Sequence, residues 1–279
     1  MSGAASLPRN ALDRVAERVR SEGRVGLMTH IVLGYPNLDA SRAIVAAMVD
    51  GGVDIIEVQI PFSDPTADGP TITHASQVAL DGGVRVADAF AFVDDVSRRF
   101  DTPFVFMSYF NIAFAYRAAA SSGRGGGDGV PGFVAAAAGV GASGLILPDV
   151  PPEMSRDRYP ESCREQGVHA IYVVSPNIGD DRLHAVAKVG TGLLYATSRI
   201  GTTGREMGLE TGRLGRFLAR AREICELPIA VGFSISRREH VEQLAGHADF
   251  AVVGSHLIRA HESGGVDGVR RAIDELAGR

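Results

Sequence analysis

Apolar residues along this chain gather into eight short runs, at residues 25–34, 54–60, 103–109, 144–148, 169–174, 192–197, 228–232 and 249–253. Each is rich in β-branched or aromatic residues or Leu and is bounded by Gly, Pro or Asp, which predicts short strands. Between the runs the period changes. Apolar positions recur three or four residues apart with charges between them, which predicts helices. Such stretches lie at 7–22, where Leu12, Val15 and Val19 share a face, at 39–51, and beyond a loop at 61–70 as helical segments to about residue 100. Others occupy 153–166, with Pro160 marking the start of the regular part, and 180–189, 210–225, 237–244 and 266–276. Strands that read as continuous apolar runs imply a parallel sheet covered on both faces. Eight strand–helix units in about 250 residues imply an α/β chain forming a closed, single-domain (β/α)8 (TIM) barrel with an extra N-terminal helix. No Gly-x-Gly-x-x-Gly follows the first strand, which argues against a dinucleotide fold.

Residues 116–131 interrupt the alternation with the glycine-dense run Ser121-Ser-Gly-Arg-Gly-Gly-Gly-Asp-Gly129. A flexible loop insertion on the rim of the barrel is expected, where strand-to-helix loops gather. The plainer alternative is an insertion without function, because lengthening a loop costs little free energy.

Composition narrows the function classes. A formal net charge of -5 gives no electrostatic case for nucleic acid or an anionic membrane as partner. No apolar run is long enough to span a bilayer, and residues 1–24 lack the apolar core of a signal peptide. Cys163 and Cys225 are too few and too distant for a metal or disulfide framework and read as packing residues in a reducing compartment, so a cytoplasmic location is expected.

The chemical anomaly is Glu57, an acid inside the apolar run Ile55-Ile-Glu-Val-Gln-Ile60, where an unpaired charge is costly. Asp68 follows on the loop punctuated by Pro61, Pro65, Gly69 and Pro70, placed to face the same space. Two carboxylates in different settings are the usual means of dividing acid and base duties. The plainer alternative is a salt-bridged Glu and a helix-capping Asp. Glycine-bearing turns end the last three strands: Arg199-Ile-Gly-Thr-Thr-Gly204, Gly232-Phe-Ser-Ile-Ser236 and Gly254-Ser-His256. Such turns bring backbone N–H groups close to an anion, and in barrels they recur as a phosphate cup. Tyr195, Phe233, Met107 and Ile146 lie in or just beyond strands, either as ordinary barrel core or as the wall of a flat apolar pocket. Lys188, the only lysine, sits in a helix, so a Schiff-base aldolase has no nucleophile. No His-x-x-x-His pair or Cys cluster supports a catalytic zinc, and His30 reads as a satisfied core histidine.

The run Glu57-Val-Gln-Ile-Pro-Phe-Ser-Asp-Pro-Thr-Ala-Asp-Gly-Pro70 resembles the signature of the tryptophan synthase α subunit family, and the three glycine turns resemble that family's phosphate-binding turns in the same order. The similarity extends over nearly the whole chain from Gly26 onward. It implies cleavage of indole-3-glycerol phosphate to indole and glyceraldehyde 3-phosphate, with Glu57 as the acid/base group and Asp68 accepting a hydrogen bond from the indole N–H. It implies phosphate held by backbone amides around Gly204, Ser234, Gly254 and Ser255, and an indole pocket lined by Tyr195 and Phe233. Thr203 would meet Asp68 on loop closure. No metal or cofactor is implied for this chain; pyridoxal phosphate belongs to the family's β subunit, the expected partner in an α2β2 assembly. Asn111 and residues 61–70 would lie near that contact.

Three departures from the family pattern stand out. Gln59 replaces a usual glycine and shares a strand face with Glu57, either to hydrogen-bond it or to fill the interior. Ser234 replaces another glycine, and the 116–131 insertion falls near the expected partner face. Open alternatives are a stand-alone indole-producing lyase, a non-catalytic partner of a β subunit, and a different phosphate-binding barrel.

Overall fold

The computed structural model describes residues 8–117, 128–154, 156–197, 211–232 and 235–279. Eight parallel strands close into a barrel in sequence order: β1 (Gly26–Val32), β2 (Ile55–Gln59), β3 (Phe104–Met107), β4 (Gly144–Ile146), β5 (His169–Val174), β6 (Leu194–Thr197), β7 (Ile229–Gly232) and β8 (Phe250–Val253). The ring is completed where Gly26 pairs with Phe250 across β1 and β8. The expected strands are all present, trimmed by a residue or more at their ends except for β5.

Helices cover the outside. Among the described residues they are α1 (Ala11–Ser21), α2 (Leu38–Asp50), α3 (Pro70–Asp81), α4 (Val86–Arg99), α5 (Phe110–Phe114), α6 (Gly129–Gly139), α7 (Tyr159–Gln166), α8 (Asp180–Val189), α9 (Thr211–Ile224), α10 (Arg238–Glu242) and α11 (Ser255–Ala277). Strand residues divide by parity, as the pleat requires. Ile56, Val58, Phe104, Phe106, Leu145, Leu194 and Val231 join the outer core against the helices. Met28, Ile55, Val105, Ile146, Ile171, Ala230, Phe250 and Val252 fill the barrel interior. Cys163 and Cys225 are free thiols packed into the outer core.

The N-terminal helix α1 belongs to the interior. Leu12, Val15, Ala16 and Val19 pack into the same cluster as the inward strand residues. A capping box of Asn10 and Asp13 starts the helix, and the Asn10 amide also donates to the carbonyls of Ser143 and Gly167. At the N-terminal ends of the strands, buried Asp54 is paired with Arg18 and Arg24, and buried Asp249 with Arg20 and Arg222. These pairs clamp α1 to the barrel's base, opposite the end where the βα loops gather.

Three stretches depart from the sequence pattern. Residues 118–127, in the middle of the glycine-rich stretch, lie outside the described residues, but its flanks are built into the fold. Tyr116 makes edge contacts with Phe90 and Phe133, and Gly129 to Pro131 open α6. α6 itself is almost wholly apolar, so it carries no polar stripe for periodicity to reveal. α11 begins at Ser255, eleven residues ahead of the predicted start, because non-helical backbone at Gly264 and Gly265 breaks it in two. No described helix is long and apolar enough to cross a membrane.

Candidate active site

The C-terminal ends of the strands surround a cavity of about 420 Å³. Glu57 enters it from β2 and is fully buried. Parallel register sets His30 of β1 directly beside it, so both side chains share the inward face. His30 Nδ1 lies 2.9 Å from Glu57 Oε1. Glu57 Oε2 and His30 Nε2 have no hydrogen-bond partner among the described residues. Burial disfavours the imidazolium of His30, but the Glu57 carboxylate, with a contribution from Asp68, outweighs it and raises the histidine's pKa.

Asp68 reaches the same cavity from the loop between β2 and α3, one residue before the helix N-cap Gly69. Two side-chain donors hold its Oδ2: Gln59 Nε2 at 2.7 Å and the Tyr109 hydroxyl at 3.0 Å. The Tyr109 oxygen in turn accepts from the backbone N–H of Ala67 at 3.1 Å, and its ring stacks on Phe62. The loop is thus tied to β2 and β3 on both sides of the carboxylate. Burial raises the pKa of Asp68; the bonds from Gln59 and Tyr109 and the charge of His30 oppose that without cancelling it. The phenols of Tyr109 and Tyr195 are pushed up by burial and by the carboxylates near them, which keeps both as neutral donors.

Apolar walls complete the site. Met107 of β3, Val173 of β5, Tyr195 of β6 and Val252 of β8 face the cavity. Gly232 is required by its neighbour: a Cβ there would sit 2.6 Å from Tyr195 Cε1. Beside His30, α11 begins at Gly254 without a side-chain cap, and the N-terminal end of its dipole favours an anion there. Ser255, His256 and Arg259 from the same helix line this end.

Of the residues singled out from sequence, Glu57, Asp68, Met107, Tyr195, Gly254 and Ser255 therefore meet at one cavity. Ile146 is instead fully buried in the interior cluster and does not line it. Thr203, Gly204, Phe233 and Ser234 lie outside the described residues. Gln59 bonds Asp68, not Glu57. His30, read from sequence as a satisfied core residue, is part of the site and keeps one ring nitrogen unpartnered. Tyr109 and Arg259 were not visible as site residues, whereas His256 stood in the Gly254-Ser-His256 turn already singled out. The register that sets His30 beside Glu57, and the hidden start of α11, carry that information.

A family model described as tryptophan synthase alpha chain matches residues 16–277. A tryptophan synthase alpha chain of Desulforapulum autotrophicum is 42% identical over 258 residues, covering 92% of this chain and 96% of the relative. That of Syntrophotalea carbinolica is 42% identical over 250 residues, covering 90% and 93%. Among solved structures, tryptophan synthase of Mycobacterium tuberculosis superposes with a TM-score of 0.86 at 33% identity, covering 97% of this chain and 98% of that one. A chain of the tryptophan synthase complex of Pyrococcus furiosus gives 0.77 at 31% identity, covering 92% and 98%.

Proposed function

We infer the reaction from family and geometry together: the chain belongs to the tryptophan synthase alpha chain family, and its cavity holds two buried carboxylates with different partners. The reaction is the retro-aldol cleavage of indole-3-glycerol phosphate to indole and glyceraldehyde 3-phosphate. Glu57 is the acid/base group. Its Oε2 has no hydrogen-bond partner among the described residues, so it is the oxygen offered to substrate. Asp68 is held through Oδ2 by two donors, which leaves Oδ1 to accept from the indole N–H.

The steps balance within the site. Protonation of indole C3 turns the ring into an electron-poor indolenine, whose developing positive charge Asp68 stabilises. Removal of the glycerol hydroxyl proton then lets the oxygen lone pair form the aldehyde. The electron pair of the breaking carbon–carbon bond returns to the ring, giving indole. Glu57 takes one proton and gives one, so no net proton is consumed. The protonated ring serves as electron sink, which is why neither a lysine nor a metal ion is needed. The uncapped start of α11 and Arg259 receive the phosphate, while Tyr195 and Met107 flank the indole.

On the same reading, indole passes to a β subunit that carries pyridoxal phosphate, in an α2β2 assembly serving tryptophan synthesis. A partner face near Asn111 is supported by its neighbours on α5. Phe114 is 57% exposed, the one exposed large apolar side chain among the described residues, and it stacks on Phe110.

The observation that carries the reading is the pair of unlike carboxylates at one cavity. The test is indole release from indole-3-glycerol phosphate by the purified chain, alone and with a β subunit. Slow release that the partner strongly accelerates supports the α-subunit role. Fast release without the partner replaces it with a stand-alone lyase, and no release in either case overturns the chemistry.

A further inference from the structure

The His30–Glu57 contact is more than a packing solution for a buried histidine. A ring nitrogen left without a partner does not by itself mark a functional histidine, since His169 Nδ1 has none among the described residues either. His30 in addition lines the substrate cavity, with Nδ1 on Glu57 and Nε2 without a hydrogen-bond partner among the described residues. Gly254 packs against the ring, where a Cβ would make ordinary van der Waals contact, 3.4 Å from His30 Cβ and Cδ2.

His169 supplies the internal contrast. It is also a buried strand histidine bonded to a carboxylate, with Nε2 3.0 Å from Asp13 Oδ2, but it lies at the base of the barrel. There burial outweighs the partner and the histidine's pKa is lowered. The difference follows from the partner: the Asp13 side chain is 26% exposed and partly screened by solvent, whereas Glu57 is 0% exposed. Only at the cavity is the histidine held toward its charged form.

On the lyase reading of this site, we propose that His30 is a positioning residue for Glu57, its Nδ1–H fixing Oε1 so that Oε2 meets the substrate and its positive charge pairing the carboxylate that forms once Glu57 has given its proton to the ring. The hydrogen belongs on Nδ1 because a carboxylate oxygen can only accept. The other titratable or charged groups facing this cavity are Asp68 from the β2–α3 loop, Tyr195 from β6, and His256 and Arg259 from α11. None of these is recorded in contact with Glu57, so the orienting bond falls to His30. Orientation matters here because the same oxygen must reach first a ring carbon and then a hydroxyl proton, and a displacement of about 1 Å in such a group costs roughly 100-fold in rate.

Two substitutions separate orientation from charge. His30→Phe keeps a ring and removes both nitrogens, while His30→Asn keeps a donor near the position of Nδ1 and removes the titration. Steady-state indole release across pH 5 to 9 (roughly the window of histidine titration) reads both effects. His30→Phe is expected to lower plateau kcat roughly 10- to 100-fold with KM near the parent's. It is also expected to lose the part of the alkaline limb that follows deprotonation of His30, because no imidazole is left to titrate. His30→Asn is expected to recover most of the plateau kcat but, like His30→Phe, to lack that limb. Parent-like kcat and limb in His30→Phe, or a loss confined to KM, overturns the proposal. Should His30→Phe give no cooperative melt, the alkaline limb of His30→Asn decides alone: its loss supports the proposal, a parent-like limb overturns it.

A second readout does not depend on turnover. In 15N spectra of the imidazoles, Glu57→Gln is expected to lower the His30 titration midpoint, and an unmoved midpoint overturns the pairing. A parent enzyme that releases no indole while this midpoint still moves would defeat the lyase reading and leave the pairing standing.

Discussion

Gln59 holds Asp68: its side-chain amide donates at 2.7 Å to the carboxylate oxygen that Tyr109 also reaches, bridging nine residues of chain from strand to loop. The two bonds place the loop carboxylate over the cavity and occupy one of its oxygens. Gln59→Leu keeps the volume and removes the donor. We expect kcat/KM for indole-3-glycerol phosphate to fall about 10-fold, the scale of one hydrogen bond to a charged group. An unchanged kcat/KM would show that Tyr109 alone suffices.

Gly232 and Tyr195 share space that has no room for a methyl group, since Tyr195 Cε1 and its hydroxyl oxygen would lie 2.6 and 2.7 Å from a Cβ. Gly232→Ala should therefore displace the Tyr195 ring from the cavity wall, raising KM and costing about 1–3 kcal/mol of stability. Adding Tyr195→Ala relieves the clash, so the double variant should lose less stability than the two single losses combined. Simple additivity in denaturant unfolding would contradict the contact.

Arg259 lies one turn into α11 and lines the cavity. If it meets the phosphate, Arg259→Ala should raise KM about 10-fold and leave kcat nearly unchanged, the signature of binding made equally in ground and transition states. A fall in kcat at constant KM would assign the arginine to the chemistry instead.

The base of the barrel sets the acid stability. Burial alone would raise the pKa of Asp54, but Arg24, the Leu27 N–H and Arg18 together hold it below the ordinary carboxylate value. Asp249 is lowered in the same way by Arg20, the Ile229 N–H and Arg222. Since the folded values lie below the unfolded ones, near 3.9, this stabilisation is present above about pH 4 and is lost as pH falls through the folded values. Asp54→Asn should cost roughly 3 kcal/mol at pH 7 and progressively less as pH drops below 4. A deficit that is constant with pH in urea unfolding would contradict the ion-pair account.

Much of this architecture was legible because strand parity is written in residue type. Within β2, Ile56 and Val58 face the helices while Ile55, Glu57 and Gln59 face inward, so an acid in that series had to point into the barrel. The boundaries of β5 and α8 coincide with the apolar and amphipathic runs that predict them. α6 was hidden because a helix buried on most sides has no polar face, and the first half of α11 because two glycines interrupt its period. Within the site, Glu57 announces itself as a charge in an apolar run. His30 does not, because its role depends on the register that sets it beside Glu57. Gln59 could be placed on the inner face from parity, but its choice of Asp68 depends on how the loop folds back over the strand.

The account rests on Glu57 acting chemically and not only as a buried acid. Glu57→Gln is nearly isosteric and retains an acceptor for the His30 bond. The decisive measurement is indole release by this variant, set beside its binding of indole-3-glycerol phosphate by calorimetry. Binding close to the parent's with indole formation nearly abolished is the predicted result. Near-parent release at unchanged affinity would remove Glu57 from the mechanism and with it the assignment of this cavity as an acid/base site.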